Sequence, residues 1–179
     1  MIGMGLFVGG VPVKQVSVGS TPVTAVYVGA KKVWPTRETV QITLGTGAQA
    51  QSQFRAALSD RGLDYATVTE IPFDIELVGT GSANNMFYGC SALTTVPEMD
   101  TSQVTNMSYM FWGCSALTYV PDMGTSQVTD TNNMFRNCPS LTDGNVRLIG
   151  RHPNVRTSNM ILGSGLTRMP FYDAAGNPI

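Results

Sequence analysis

The sequence predicts a mainly β protein with short helical turns, folded as a solenoid of 24-residue coils, with a small N-terminal β segment and a capping helix. Three observations carry this. First, NMFYGCSALTTVPEMDTSQVTNMS (85–108) is followed by YMFWGCSALTYVPDMGTSQVTDTN (109–132), identical at 16 of 24 positions, and a third copy, NMFRNCPSLT, opens at Asn133. Met86, Met110 and Met134 keep the spacing, as do Phe87, Phe111 and Phe135, Cys90, Cys114 and Cys138, and Leu93, Leu117 and Leu141. A fixed period in the twenties marks units that bury their apolar side only by stacking on the next. Second, VPVKQVSVGS (11–20) and TPVTAVYVGA (21–30) match at a spacing of ten. Third, 19 Gly and 10 Pro with only 13% charged residues favour many turns and short strands.

A chain of 179 residues with 42% hydrophobic content suits one or two small domains with a real core. The pattern divides it into a docking segment of β-strands, 1–46, and a capped solenoid, 47–179. In the first segment Val16 and Val18, then Val26 and Val28, alternate with Ser17 and Tyr27, which is the period of half-buried strands, and glycines punctuate the turns. ETVQITLG (38–45) adds a further strand. Strands this short are marginal alone, so the segment is either a β layer packed on the repeats or an arm that docks on another chain. Trp34, where the alternation ends, is then a plug or an interface anchor, and Tyr27 is a second candidate contact.

From Thr46 the periodicity changes. Ala50, Phe54 and Leu58 are four apart, with Ala57 beside them, and Arg61 and Gly62 follow, predicting a helix over about 48–60 that caps the solenoid. YATVTEIPFDIELVG (65–79) reads as strand, bend and strand. Within a repeat, Met86, Phe87, Cys90, Leu93, Val96, Met99, Val104 and Met107 supply the interior. The Ser-Ala-Leu-Thr-x-Val-Pro piece is extended, and the Asn-Met-x-x-Met-Phe-x-Gly-Cys piece is a short helical turn, α or 3₁₀. NMILGSGLTRMP (159–170) is a degenerate last copy, so 143–179 reads as the C-terminal cap after regular repeats over 85–142.

Several chemistries find no pattern. The three cysteines share one repeat position and fit a buried ladder of free thiols, and no C-x-x-C or paired His favours zinc. His152 is the one histidine and sits in an irregular basic loop. GTGSANN (79–85) lacks the Lys of a phosphate loop, and no D-x-D-x-D-G calcium loop exists. The expectation is therefore a protein that is not an enzyme and uses no cofactor or metal. Charge is uneven: 1–61 holds six basic residues against Glu38 and Asp60, 62–135 holds eight acids and no Lys or Arg, and 136–179 holds five Arg against two Asp. An acidic centre repels phosphate, which disfavours nucleic acid. No run of eighteen apolar residues predicts a membrane span.

A repeat frame binds through the letters that vary. Tyr88, Trp112 and Arg136 follow Met-Phe, and Thr95, Tyr119 and Asp143 follow Leu-Thr, so each set should form a row. Tyr, Trp and Arg are typical of binding hot spots; alternatively, Tyr88 and Trp112 merely cover the core edge.

MFYGCSALTTVPEMDTSQVTNMSYMF (86–111) resembles the BspA-type leucine-rich repeat, also described from mycoplasma surface lipoproteins, whose units run Met-Phe-x-x-Cys-x-x-Leu-Thr and then Asp-Thr-Ser-x-Val-Thr-Asn-Met. The likeness is strong over 85–142 and weak over 159–170. It implies a leucine-rich-repeat-like stack of β-plus-turn coils used as a recognition surface, often in bacterial surface or phage proteins. Asp100 matches the family's Asp, whereas Gly124 departs from it. VTAVYVGAKKVWP (23–35) resembles segments of virion proteins, particularly minor tail proteins, of phages infecting actinobacteria. The opening residues lack the basic region of a secretion signal, which a surface adhesin would need and a virion protein would not. Together these lead to the expectation of a virion structural protein, on the tail or decorating the capsid, oligomeric in the particle and bound to other virion proteins through 1–46. The alternative is a host-recognition or adhesin module binding a cell-surface protein or glycan.

Overall fold

The computed structural model describes residues 37–46 and 48–179 in full and, before them, the backbone of six short strands. These are β1 (Leu6–Val8), β2 (Val11–Val13), β3 (Ser17–Val18), β4 (Thr21–Pro22), β5 (Val26–Val28) and β6 (Lys31–Trp34). They pair antiparallel as β1 with β2, β3 with β4 and β5 with β6. Met1–Glu38 forms one compact unit and Thr39–Ile179 a second.

The second unit thus begins before the boundary read from the sequence at 46/47. The strand expected to belong to the N-terminal segment, β7 (Thr39–Thr43), pairs in parallel with β8 (Asp74–Val78), from Thr39 opposite Asp74 to Thr43 opposite Val78. Ile42 is fully buried by that pairing, so the local alternation was right for a strand but silent about its partner 35 residues away. Between them runs α1 (Gln49–Ser59), which buries Ala50, Phe54, Ala57 and Leu58 on one side. Gln53 ties it to β7, accepting from the Thr43 amide at 2.9 Å and donating to the Thr43 carbonyl at 3.0 Å. Gly62, at φ 70°, ends it, and the Leu63 amide turns back to the Leu58 carbonyl at 3.0 Å. The expected strand at Tyr65 is instead a turn. Asp64 accepts the Ala66 amide on its side chain and the Val68 amide on its carbonyl, which diverts the backbone from pairing.

From β9 (Gly81–Ser82) onward, successive copies lie side by side in parallel. β9 pairs with β10 (Val104–Asn106); β11 (Met123–Gly124) pairs with β12 (Leu148–Ile149), and β12 with β13 (Phe171–Tyr172). Single parallel bridges join Thr95 to Tyr119, Asn106 to Asp130 and Asp130 to Arg156. The Asn-Met-x-x-Met-Phe-x-Gly-Cys piece is neither α nor 3₁₀ helix. Its amides alternate: those of Met86, Tyr88 and Cys90 close local turns, while those of Asn85, Phe87 and Gly89 donate to Ser108, Met110 and Trp112 on the next coil. A helix would use every amide within itself, so half of them being drawn outward breaks it. Two backbone positions per coil are left-handed: Asn85, Tyr109, Asn133 and Asn159 at φ 53–60°, and four residues on, Gly89, Gly113, Asn137 and Gly163 at φ 59–75°. Asn and Gly are the residues that take this conformation readily; Tyr109 is the exception.

The interior is a set of stacked ladders. The rings of Phe87, Phe111 and Phe135 are parallel, with centroids 5.3 and 5.5 Å apart, and all three are fully buried. A buried Phe contributes about 1.5–3 kcal/mol by removal from water alone. Hydroxyls bind coil to coil: Thr118 donates to the Thr94 carbonyl, Thr129 to Thr105, and Ser115 to Ser91. At the last coil Gly165 is forced, since a Cβ there would lie 2.2 Å from the Leu141 carbonyl oxygen. Both ends of the core are covered. Phe54 of α1 meets Phe87 edge-on at 4.8 Å, and Phe171 and Tyr172 of β13 close the other end under Arg151 and Arg147. No helix among the described residues is long and apolar enough to cross a membrane.

Candidate functional site

The variable slots after Met-Phe fall in one row along the turn side. The carbonyls of Trp112, Arg136 and Leu162 accept from the amides of Gly89, Gly113 and Asn137, which fixes each slot beside the one before. Tyr88 and Trp112 stack at 4.6 Å with their planes within 7°, and both are half-buried. Each ring therefore covers a face of its neighbour and offers its edge outward. Arg136 follows, its Nη1 donating to Asn133 Oδ1 at 3.2 Å while its Nε is buried with no acceptor among the described residues. Towards α1 the row continues into Tyr65, whose ring edge lies at Gly89, with the Arg55 guanidinium 3.9 Å above the Tyr65 ring centroid. Tyr65 and Arg55 lie outside the regular repeats, so no spacing pointed to them. The signal that was present is an aromatic beside Asp64 in the turn that follows the helix.

The slots after Leu-Thr lie on a different side. Thr95 bridges Tyr119, and Tyr119 is 49% exposed. Tyr119 borders an open cleft of about 650 Å³ with Glu98, Met99, Asp100, Pro121, Asp122 and Arg147. Arg147 pairs with Asp122 at 3.1 Å across the coils. Asp100 is committed locally: its Oδ1 accepts the Ser102 amide at 2.9 Å, which holds its carboxyl below the usual range. Asp143, in the third slot, is bound by the hydroxyl and amide of Thr167, the hydroxyl being the larger cause of its lowered pKa. Tyr119 is thus the aromatic member of an acidic groove, and is not brought together with Tyr88, Trp112 and Arg136. Tyr27 and Trp34 lie in β5 and β6, opposite Lys32 and Val26, and their side chains lie outside the described residues.

Cys90, Cys114 and Cys138 are free and buried. Cys114 Sγ donates to the Phe87 carbonyl at 3.1 Å and Cys138 Sγ to the Phe111 carbonyl at 2.9 Å, so the thiols join the coils like the hydroxyl ladders. Burial pushes Cys90 up to about 12, against a smaller lowering by Arg55. It pushes Cys138 to about 12 and Cys114 higher still. A thiol held protonated is neither nucleophile nor metal ligand at neutral pH. His152 Nδ1 accepts the Asn154 amide at 3.2 Å in a local turn. Among the described residues no three His, Cys, Asp or Glu side chains are placed to hold a metal ion.

No curated protein and no solved structure matches the chain. Residues 73–159, which hold the regular coils and both variable rows, match the family described as "Mycoplasma protein of unknown function, DUF285", the family associated with BspA-like mycoplasma lipoprotein repeats.

Proposed function

We propose that the chain is a non-enzymatic structural protein of a bacteriophage virion, a minor tail or capsid decoration protein. In this reading the coil-bearing residues form a leucine-rich-repeat-like solenoid that is displayed for interaction, and the N-terminal segment attaches it to other virion proteins. The observation that carries the interaction role is the row Tyr88, Trp112 and Arg136. Its side chains are half-buried and make no hydrogen bond from coil to coil, whereas the identical Ser, Thr and Cys side chains hold the frame. Rigid, stacked aromatic rings beside a half-buried guanidinium suit a protein partner. Attachment rests on the likeness of residues 23–35 to minor tail proteins. Protonated, buried thiols support a role without covalent chemistry.

The second reading, host recognition by the same domain, is favoured by exposed Tyr119 on its acidic groove. Mass spectrometry of washed particles tests both. The chain should be present at a fixed ratio to other virion proteins, and its absence refutes the virion role. Particles carrying Tyr88→Ala, Trp112→Ala and Tyr119→Ala should assemble. Unchanged adsorption to host cells then removes the recognition reading and leaves the structural one.

A further inference from the structure

Along the turn side the coils are joined in one direction. The amides of Thr131, Asn133, Phe135 and Asn137 donate to the carbonyls of Arg156, Ser158, Met160 and Leu162 at 2.8–3.0 Å. Their counterparts on the last coil are Thr157, Asn159, Ile161 and Gly163, and no described residue accepts from any of the four. Four amides two residues apart are the unpaired edge to which another extended chain can add. On the β13 side the chain covers its own edge: Tyr172 bridges Pro178 antiparallel, and the Ile179 amide donates to Phe171 at 3.0 Å. The turn side has no such cover among the described residues.

Side chains at this edge add chemistry to the backbone pattern. Leu162 ends the row begun by Tyr88 and Trp112 and is 52% exposed. The column Asn106, Asp130, Arg156 ends on an arginine whose side chain is 68% exposed, with Nη2 bound to Asp130 behind it at 2.6 Å. No carboxylate occurs from 157 to 172. A following coil would therefore place an acid beside Arg156 and an apolar side chain over Leu162.

We infer that this end of the stack is a docking site for an extended segment of another protein, acidic where it faces Arg156 and apolar where it faces Leu162, which adds as one more coil edge through the four free amides. The described residues of a second copy offer no free coil edge to supply that segment. Its first coil lies under α1, with Phe54 on Phe87, and its inner coils are paired on both sides. The inference rests on the stacked coils and not on the virion role, so the two fail separately.

Amide hydrogen exchange of the full chain by NMR tests it, with the synthetic peptide VTDTNNMFWNSPSL as probe; this is the chain's own 128–141 with Cys138→Ser and with Arg136→Trp, which supplies the apolar side chain opposite Leu162. In the chain alone, Thr157, Asn159, Ile161 and Gly163 should exchange about a hundredfold faster than Thr131, Asn133, Phe135 and Asn137. Millimolar peptide should slow the four about tenfold. An Asp130→Lys peptide should lose the effect, and Arg156→Glu in the chain should restore it for that peptide. Four results would overturn the inference. The four amides could be protected in the dilute chain, which means that it covers its own edge. Protection could rise with chain concentration alone, which means that a second copy does. A scrambled peptide could protect as well as the probe, or neither peptide could protect at all.

Discussion

The cysteine ladder makes a prediction about alkaline pH. In the unfolded chain each thiol loses its proton near 9.0, while burial holds Cys90 and Cys138 near 12 and Cys114 higher in the fold. The folded values are raised, so the stabilisation is complete below 9 and is lost as pH climbs towards 12, because the unfolded state releases protons that the folded state keeps. At pH 10 each thiol removes about 1.4 kcal/mol, and the three together about 4 kcal/mol, from a total that for domains of this kind is about 5–15 kcal/mol. Urea denaturation followed by circular dichroism from pH 7 to 10.5, with a reductant present, reads this as a falling midpoint. The variant with Cys90→Ala, Cys114→Ala and Cys138→Ala starts less stable at pH 7, having lost buried volume and the two sulfur hydrogen bonds, but should show a much shallower alkaline slope. Equal slopes in the two proteins would mean that the thiols ionise in the folded state, and the stacked burial argued for them would be wrong.

Two further expectations concern the frame. Phe87 and Phe111 touch, as do Phe111 and Phe135, whereas Phe87 and Phe135 are two coils apart. Double-mutant cycles to Leu should therefore give about 0.5–1.5 kcal/mol of coupling for each touching pair and none for the outer pair, measured by chemical denaturation. Tyr109 holds φ 57° in a column otherwise made of asparagine, so Tyr109→Asn should raise the denaturation midpoint, with a gain of about 0.5–1 kcal/mol; a fall would show that the Tyr109 ring stabilises more than its backbone strain costs.

What the sequence disclosed follows from how each feature is encoded. Residues at identical repeat positions announce themselves, so the spacing of Phe87, Phe111 and Phe135 could be turned into neighbours before any coordinates. The slots at Tyr88 and Trp112 were legible for the same reason, as interruptions of a repeated phrase. Pairings made once are not encoded this way. Nothing in Thr39–Thr43 names Asp74–Val78 as its partner, and the alternation of a single strand is the same whichever sheet it joins. The turn at Tyr65 was hidden because Asp64, which makes it, lies just ahead of residues with strand character. The left-handed column was obscured by Tyr109, since three Asn in a column of four suggest a rule only once φ is known. The acidic groove depends on Arg147 meeting Asp122 beyond the last regular copy, where 24-residue counting no longer applies.

A coil that gives its turn-side amides to the carbonyls of the next coil and receives on its own carbonyls the amides of the one before can never satisfy its own two edges. The repeats therefore fix the interior, and the residues that differ most from them must decide where the stack stops. At one end α1 brings Phe54 onto Phe87 and a turn that offers the carbonyls of Ala66 and Thr69 to the hydroxyls of Ser91 and Thr94. At the other, the tail turns back on β13 yet leaves the amides of Thr157, Asn159, Ile161 and Gly163 without acceptors among the described residues. Lengthening the stack by another perfect copy would only move that unpaired row outward by one strand spacing of about 5 Å. Removing it takes a different element, either in the chain or brought by a partner. Partner choice at that end is accordingly set by Arg156 and Leu162, two residues at which the last coil departs from the coils before it.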